Sequence, residues 1–475
     1  MANSTVDADE LPWDSRARGE RARLELVLAW SLDESERLGE AAVVDRPLRL
    51  GRGEPEEGVP HARFRPWRPG PARSGHPLQS PRLSRDQLRL SPTPDGRLRV
   101  ENVGRCPMRV HGAERLEAVV GPGDTLHLRN TLVLLVVRRT LLSPPGEAAD
   151  FPFGGPDGLG LVGESEVAWR LRAELSFAAR SAHHVLLLGP SGVGKELAAR
   201  ALHSLSSRAG RPLITRNAAT LPEGLVDAEL FGSARGYPHA GSPERPGLVG
   251  EADGSTLFPD EVGELPAALQ AHLLRVLDRG GEHQRLGDAR ARRADLRLVA
   301  AANRPVSALK HDVAARFPLR FELPGLEQCP EDIPLLAQAM LLRAREELAR
   351  SGAASPIARF FGPDGRPRLH PDLVEALLHH RYSLHTRELH RLLWLAMSSS
   401  PGEFLGLSDA LRAELTPAAP ERGAEPPGRE VIVAALAAAG GRPSLAAEAL
   451  GLSSRFVLYR LMKKYGVAGG EEGSL

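Results

Sequence analysis

"HHVLLLGPSGVGKELAARALH", His183 to His203, decides the fold of the middle of this chain. Val185–Leu188 is a short apolar strand. Gly189-Pro190-Ser191-Gly192-Val193-Gly194-Lys195 follows, and then an Ala/Leu-rich helix. Strand, glycine loop and helix together make the setting of a P-loop. The glycines let backbone N–H groups turn inward around phosphate oxygens, and the helix N-terminus adds partial positive charge. Lys195 is placed to reach β- and γ-phosphates. A glycine turn before an ordinary helix is the competing reading, and it does not account for the flanks.

The next informative stretch is "GSTLFPDEVGELP", from Gly254. Thr256–Phe258 is strand-like and runs into Asp260-Glu261. An acidic pair at a strand end suits metal-assisted phosphoanhydride hydrolysis, one carboxylate serving Mg²⁺ and the next orienting water. Pro259 is out of place in a central strand, because it removes a ladder donor.

The rest of the chain divides around this centre. With 475 residues, roughly two to four domains are expected. The 61 basic and 60 acidic side chains nearly cancel, so any nucleic-acid surface must be local. The two cysteines, Cys106 and Cys329, give no disulfide framework or metal motif. The N-terminus is mixed in charge, and the strongest apolar run, Thr131–Val137, is far too short to span a bilayer. The chain therefore reads as cytoplasmic, with no membrane partner. Ser143–Gly158 is rich in Gly and Pro, and Thr416–Gly428 in Pro, Ala and Glu; both read as linkers.

Short strands separated by turns such as Pro94-Asp95-Gly96 suggest an N-terminal β-sandwich. Gly53–Ser80, dense in Pro, Arg and Gly, reads as a disordered insertion. The middle alternates strands and helices, as a parallel α/β sheet does, and the end is helical.

Several blocks now resemble one family in the right order: "GPSGVGKELAARALH", "NAATLPEGLVDAELFG", "GSTLFPDEVGELPAALQAHLLRVLDRG", "LRLVAAANR" and "EDIPLLAQ". They look like the AAA+ domain of sigma-54-dependent bacterial enhancer-binding proteins, over about Gly158 to Ala396. Glu196, which stands where most P-loops place Ser or Thr, matches that family's own pattern. The resemblance implies ATP and Mg²⁺ as cofactors, with Gly189 to Glu196 forming the cradle. It makes Asp260 the Mg²⁺ residue and Glu261 the catalytic base, with Asn217 holding that base inactive until a switch. It places Asn303 in the sensor I block and makes Arg387 the sensor II arginine. Arg316 becomes an arginine finger reaching a neighbouring subunit, which implies a homo-hexamer.

The pattern departs from the family in places. The loop that touches sigma-54, GAFTGA in the family, falls on Gly236-Tyr237-Pro238-His239-Ala240-Gly241. Pro238 replaces the aromatic wedge and His239 the threonine. Lys310 takes the other finger position, and lysine cannot fork over a phosphate as arginine does. Leu323–Cys329 replaces an arginine-containing segment, Ala302 a threonine and Pro259 an aliphatic residue. The changes fall on contacts to sigma-54 and between subunits, and largely spare the cradle.

At the C-terminus, three short helices over Arg429–Tyr465 fit a helix-turn-helix. The last carries Arg455, Arg460, Lys463 and Lys464 and no acid, a local phosphate-binding surface. The segment resembles a Fis-type DNA-binding domain, with Ser454, Arg455 and Tyr459 near bases or backbone and the other cations on phosphates. At the other end, "LRLGRG", "RLSRDQLRL" and "VENVGRCPMRVHG" look like a forkhead-associated (FHA) domain, which binds phosphothreonine peptides. Arg52, Ser84 and Arg85 match its phosphate-contacting positions, and a guanidinium with a hydroxyl suits a phosphate. Gln87 replaces the family's histidine, and Cys106 a peptide-binding asparagine.

The expected architecture is therefore multidomain. A disordered stretch at 1–20 precedes an FHA-like β-sandwich over 21–140 and a linker over 141–157. An α/β P-loop AAA+ domain with a helical lid spans 158–400. A linker over 401–428 leads to a three-helix helix-turn-helix over 429–475. Expected partners are upstream promoter DNA, sigma-54 RNA polymerase and a phosphothreonine protein or Ser/Thr kinase. Two functions stay open: an ATP-driven remodeller of sigma-54 polymerase, or an ATP- and DNA-binding regulator independent of sigma-54, acting as repressor or ring-diluting partner.

Overall fold

The computed structural model describes residues 22–415 apart from 54–59, 71–73, 141–143, 147–148, 221–223, 265–269, 271–275, 278–280, 305 and 351–356, together with residue 436. The chain divides into two compact units, Met1–Thr416 and Pro417–Leu475. The stretch at 1–20 lies outside the described residues. So do the candidate DNA-binding residues Ser454, Arg455, Tyr459, Arg460, Lys463 and Lys464.

The N-terminal strands are β1 (Arg23–Ser31), β2 (Ala41–Val44), β3 (Leu48–Leu50), β4 (Leu88–Pro92), β5 (Leu98–Asn102), β6 (Met108–Val110), β7 (Ala113–Glu114), β8 (Glu117–Val120), β9 (Thr125–Leu128) and β10 (Leu132–Arg139). They form a six-stranded sheet, β2-β1-β10-β9-β6-β7, and a four-stranded sheet, β3-β4-β5-β8. In β5, Leu98 and Val100 point inward while Arg99 and Glu101 face solvent, the period-2 pattern of a half-buried strand. One apolar core, including Leu26, Leu28, Leu90, Val100 and Leu134, lies between the sheets.

β1 and β10 do not alternate. Almost every residue of both is buried. Their second face, with Val27, Trp30, Val133, Leu135 and Val137, belongs to another core shared with C-terminal helices. Strands covered on both sides read as unbroken apolar runs, which is what "TLVLLVV" is.

The reading of Gly53–Ser80 as disordered fails for its described part. Ala62, Phe64, Trp67 and Leu78 are buried, and single bridges tie Ala41 to Arg65 and Phe64 to His76. The physical reason is tertiary. Isolated apolar side chains plug into the core at irregular intervals, so no periodicity announces them. Part of the expected linker over 141–157 is also packed. Phe151 stacks with Trp169 at 6.0 Å between centroids, and the Arg68 guanidinium covers it at 4.4 Å.

The central strands are β11 (Val185–Leu188), β12 (Ile214–Asn217), β13 (Thr256–Asp260), β14 (His283–Gln284), β15 (Ala291–Arg292), β16 (Arg297–Ala302) and β17 (Leu319–Glu322). Five of them form a sheet in the order β12-β13-β16-β11-β17, and β14 and β15 make a small hairpin. Its pairings are parallel. Helices α1 (Glu166–Ala179), α2 (Lys195–Ser204), α3 (Val226–Phe231), α4 (Gly247–Glu251) and α5 (His311–Ala315) accompany the sheet. Both sheet faces are apolar, because separate cores form on each side.

A lid follows, of α6 (Ile333–Arg350), α7 (Pro371–Leu378), α8 (His385–Ser399) and α9 (Asp409–Glu414). The stretch expected as a linker from 401 thus contains an ordered helix. Ser408 caps α9 by accepting from the Leu411 N–H, and Leu411 is buried.

At the end of β10, Arg139 is buried within 2.9 Å of Glu25 and 3.9 Å of Glu331. Burial pushes the Glu331 carboxyl up to about 7, against the pull of Arg139 and with repulsion from Asp332. A carboxyl whose folded pKa lies above its unfolded value of 4.5 holds its proton more tightly when folded. Stability then falls as pH rises from about 4.5 towards 7. Glu331→Gln is expected to remove that limb. Parent and variant should unfold alike near pH 4.5, diverge between pH 4.5 and 7 and stay apart above it, the variant being more stable by roughly 3 kcal/mol. Melting curves that stay parallel across this range would contradict the assignment.

Candidate functional site

The site forms at the C-terminal edge of the parallel sheet, where β11 opens into the glycine loop. Gly189, Gly192 and Gly194 have φ of 143°, 86° and 95°, a sequence of turns that side chains resist. Lys195 begins α2, and its ammonium donates to the Gly189 carbonyl at 2.8 Å and the Pro190 carbonyl at 2.9 Å. Burial lowers its pKa, and the negative charge of Asp260 opposes this.

Asp260 closes β13. Burial raises its pKa, while the Glu261 N–H donates to its Oδ1 at 2.9 Å and lowers it. Glu261 sits at φ 59°, a constrained value for a residue with a side chain. Asn217 ends β12 directly opposite Asp260 in the parallel register. Four predicted residues therefore share one edge: Lys195, Asn217, Asp260 and Glu261. Asn303 follows β16 and is exposed. Glu196 points outward and pairs with Arg200 at 2.6 Å. Arg316, exposed, follows α5, and Lys310, also exposed, precedes it.

The lid reaches this loop through α8. Arg387 donates to the Ser191 hydroxyl at 2.8 Å. The Thr386 hydroxyl and N–H both donate to the Gly192 carbonyl, at 2.5 and 3.2 Å. Sequence reasoning singles out Arg387 and misses Thr386. The only signal was a hydroxyl residue directly before Arg387.

Pro259 has a visible consequence. β13 pairs with β12 as far as Asn217↔Asp260, but its pairing with β16 stops at Leu257. Without an N–H at 259 the second ladder cannot extend. Pro259→Val is expected to extend it and raise stability by about 1 kcal/mol. Slower amide exchange in β16 would report the gain, and an unchanged melting temperature would contradict it.

The loop Gly236–Gly241 is exposed and folded on itself. The Gly236 N–H donates to Ser242 O at 2.9 Å, and the Ser242 N–H to His239 O at 3.0 Å. The Tyr237 ring lies on Gly287, where an added Cβ would fall 2.7 Å from it. The loop therefore rests on the β14–β15 hairpin, with Pro238 and His239 outward.

In the sandwich, the Arg52 N–H donates to Ser84 O at 3.0 Å, which fixes the two candidate loops together. Gly51 has room for no side chain, since an added Cβ would fall 2.0 Å from Arg85 O. Arg52 and Arg85 are exposed. The Arg105 N–H donates to the Ser84 hydroxyl oxygen at 3.0 Å, which leaves the hydroxyl hydrogen to donate elsewhere. Gln87 is buried beneath. Its carbonyl oxygen accepts from the Ser84 N–H at 3.1 Å, and its amide donates to Asn102 and to Cys106 O at 2.7 and 2.8 Å.

His127, Asp372 and Glu375 are arranged closely enough to suggest a metal site. The Arg109 guanidinium already lies 2.5 Å from Asp372, 2.6 Å from Glu375 and 2.7 Å from His127. The cation of this cluster is that guanidinium.

The parallel sheet, glycine loop, acidic strand end and lid define a P-loop AAA+ domain. Comparison narrows the class. The family model of the Sigma-54 interaction domain matches residues 161–325, and that of the bacterial regulatory protein, Fis family, matches residues 429–465. The chain is 33% identical over 364 residues to the transcriptional regulatory protein ZraR of Salmonella typhimurium, covering 74% of this chain and 78% of that one. It is 38% identical over 325 residues to the nitric oxide reductase transcription regulator NorR2 of Cupriavidus necator, covering 66% and 58%. The crystal structure of NtrX from Brucella abortus in complex with ATP aligns with a TM-score of 0.45 and 29% identity, over 65% of this chain and 69% of that one. The chain belongs to the sigma-54-dependent transcriptional activator family and carries a Fis-type helix-turn-helix. Among the described residues, no helix is long and apolar enough to cross a membrane.

Proposed function

We propose that the chain is an ATP-binding, sequence-specific DNA-binding transcription regulator that receives a phosphothreonine signal through its N-terminal sandwich. One observation carries the ATP reading. Thr386 and Arg387 of the lid hold the loop that carries Lys195, and Asp260 and Asn217 stand side by side at the neighbouring strand ends. Lys195 binds the β- and γ-phosphates by exchanging its two carbonyl partners for phosphate oxygens. Asp260 fits Mg²⁺, because it is a half-buried carboxylate whose charge burial disfavours and a cation would favour. Bound there, Mg²⁺ would screen phosphate charge. Glu261 acts as the base, with Asn217 beside it and Asn303 as sensor. Arg316 completes the site across a homo-hexamer interface. The Fis-type segment reads upstream promoter DNA.

The sandwich reading rests on Arg52, Ser84 and Arg85, held at one edge by backbone bonds, with Gln87 buried beneath as the bridging residue. It makes the domain FHA-like and its ligand the phosphothreonine of a partner protein or Ser/Thr kinase.

A second reading is favoured by the loop at Gly236–Gly241. It is closed on its own backbone, with Pro238 in the wedge position, so the regulator would bind ATP and DNA yet act without remodelling sigma-54 polymerase. ATP turnover by the full chain, with and without sigma-54 polymerase, tests both. Turnover stimulated by the polymerase supports the motor. Binding of ATP with turnover near background and no nucleotide-dependent capture of sigma-54 supports the second reading. Absence of ATP binding would overturn both.

A further inference from the structure

Over β1 and β10, the outer face of the six-stranded sheet is covered rather than open to solvent. Val27, Trp30, Val133, Leu135 and Val137 pack with Ile333, Leu373 and Leu377 of the lid in one core. Detaching the sandwich would bare a continuous apolar face on both partners, a surface that soluble proteins keep small.

Polar groups cross the same seam at separate points. The Trp30 indole N–H donates to Leu369 O at 2.9 Å. Arg366 donates to Ser35 O at 2.9 Å. Glu375, on α7, takes hydrogen bonds from Thr125 at 2.9 Å and Arg109 at 2.6 Å and faces His127 at 3.0 Å. Burial pushes its carboxyl up, but His127, Arg109 and Thr125 together outweigh this and hold it at about 2. Polar pairs at separate points along the seam fix one docking geometry rather than a loose association, although Arg109 Nε itself has no acceptor among the described residues.

The same helix pair extends to the nucleotide loop. The connection from α7 to α8 is rigid. The Tyr382 hydroxyl donates to Leu377 O at 2.9 Å. The Glu388 carboxylate accepts from the Ser383 and Leu384 N–H groups at 2.6 and 3.0 Å and meets His380 at 3.1 Å. Glu375, held by the sandwich, and Arg387, bonded to Ser191, therefore lie on one stiff lever.

We propose that the sandwich is permanently seated on the ATPase lid, and that the seam between β1, β9, β10 and α7 relays a signal to the glycine loop by moving the lid without releasing the sandwich. The surface is the outer face of the sheet, and its partner is the chain's own α6–α7 region. Glu375 and Arg109 are positioning residues that act on the nucleotide through α7 and α8. The relay rests on the ATP reading above; the docking does not.

The test uses the full chain. Amide exchange is followed in β1, β10 and α7 with and without ATP and Mg²⁺. Dissociation of a fluorescent ATP analogue is measured for the parent, Arg109→Gln, Glu375→Gln and the double variant. Slow exchange of all three elements in both states is expected. Each single variant should speed release on the order of tenfold, and the double variant should be no faster than the faster single. Exchange of β1 and β10 that accelerates on nucleotide binding would overturn the permanent seat. Variants with lowered melting temperature and unchanged release would overturn the relay and leave the seam purely structural. Failure of the parent to bind nucleotide would overturn the relay together with the ATP reading, while the exchange pattern would still decide the docking. Both variants leave the apolar core of the seam intact: Glu375→Gln keeps its volume, and Arg109→Gln shortens a side chain that is 32% exposed.

Discussion

Gly192→Ala is expected to pull the lid off the glycine loop and abolish tight ATP binding. The position has φ of 86°, which costs a side chain roughly 1–2 kcal/mol. A Cβ there would also fall 2.1 Å from the Leu384 carbonyl oxygen. That atom is backbone and cannot rotate aside. Either the loop flattens or the segment from Leu384 to Arg387 withdraws. In both cases Thr386 loses the Gly192 carbonyl and Arg387 loses Ser191. Affinity for a fluorescent ATP analogue should drop about 100-fold, close to 3 kcal/mol. Amide exchange at the start of α8 should rise in parallel. Affinity within about threefold of the parent would show that the lid contact is dispensable.

Arg139→Ala is expected to cost the most stability. Arg139 is 1% exposed, bonded to Glu25 and close to Glu331. It also lies over the Trp67 ring at 4.3 Å. Removing it takes the buried guanidinium from both carboxyl groups, leaving Glu25 to Arg23 at 3.2 Å and Glu331 without the pull of Arg139. Breaking a buried pair by deleting one partner costs about 3–5 kcal/mol. The urea midpoint of the full chain measures the loss. Arg139→Met combined with Glu331→Gln should recover most of it, since Glu25 then keeps Arg23 at 3.2 Å and the buried Glu331 charge is gone. A loss under about 1 kcal/mol for the single variant would mean that the cluster is better hydrated than its burial indicates.

The nucleotide edge was legible because its information is local. Val185–Leu188, three glycines and Lys195 specify strand, loop and helix without help from elsewhere, and Asp260-Glu261 marks a second strand end. The family resemblance then pointed to Asn217 and Arg387. Thr386 escaped notice because its role exists only where the lid meets Gly192. The segment from Gly53 to Ser80 was misread for a related reason. Its composition is that of a loop, and Phe64, Trp67 and Leu78 are buried by partners distant in sequence. Pro259 was correctly seen as a fault in a ladder, but which neighbour it fails to pair with depends on strand order. The double-sided burial of β10 was written in seven consecutive residues, yet an apolar run cannot say which helix will cover it.

The two-faced strands have a practical meaning for how this chain can be divided. Sequence patterns place a seam between modules near Thr140, but cutting there would split one hydrophobic core between two fragments. An isolated AAA+ fragment would expose Leu373 and Leu377, and an isolated sandwich would expose Trp30 and Leu135. Each fragment would tend to self-associate, and an assembly state measured on either would report the cut surface. Grafting this sandwich onto another AAA+ domain would require grafting α7 with it. The smallest transferable unit is therefore the sandwich together with the lid.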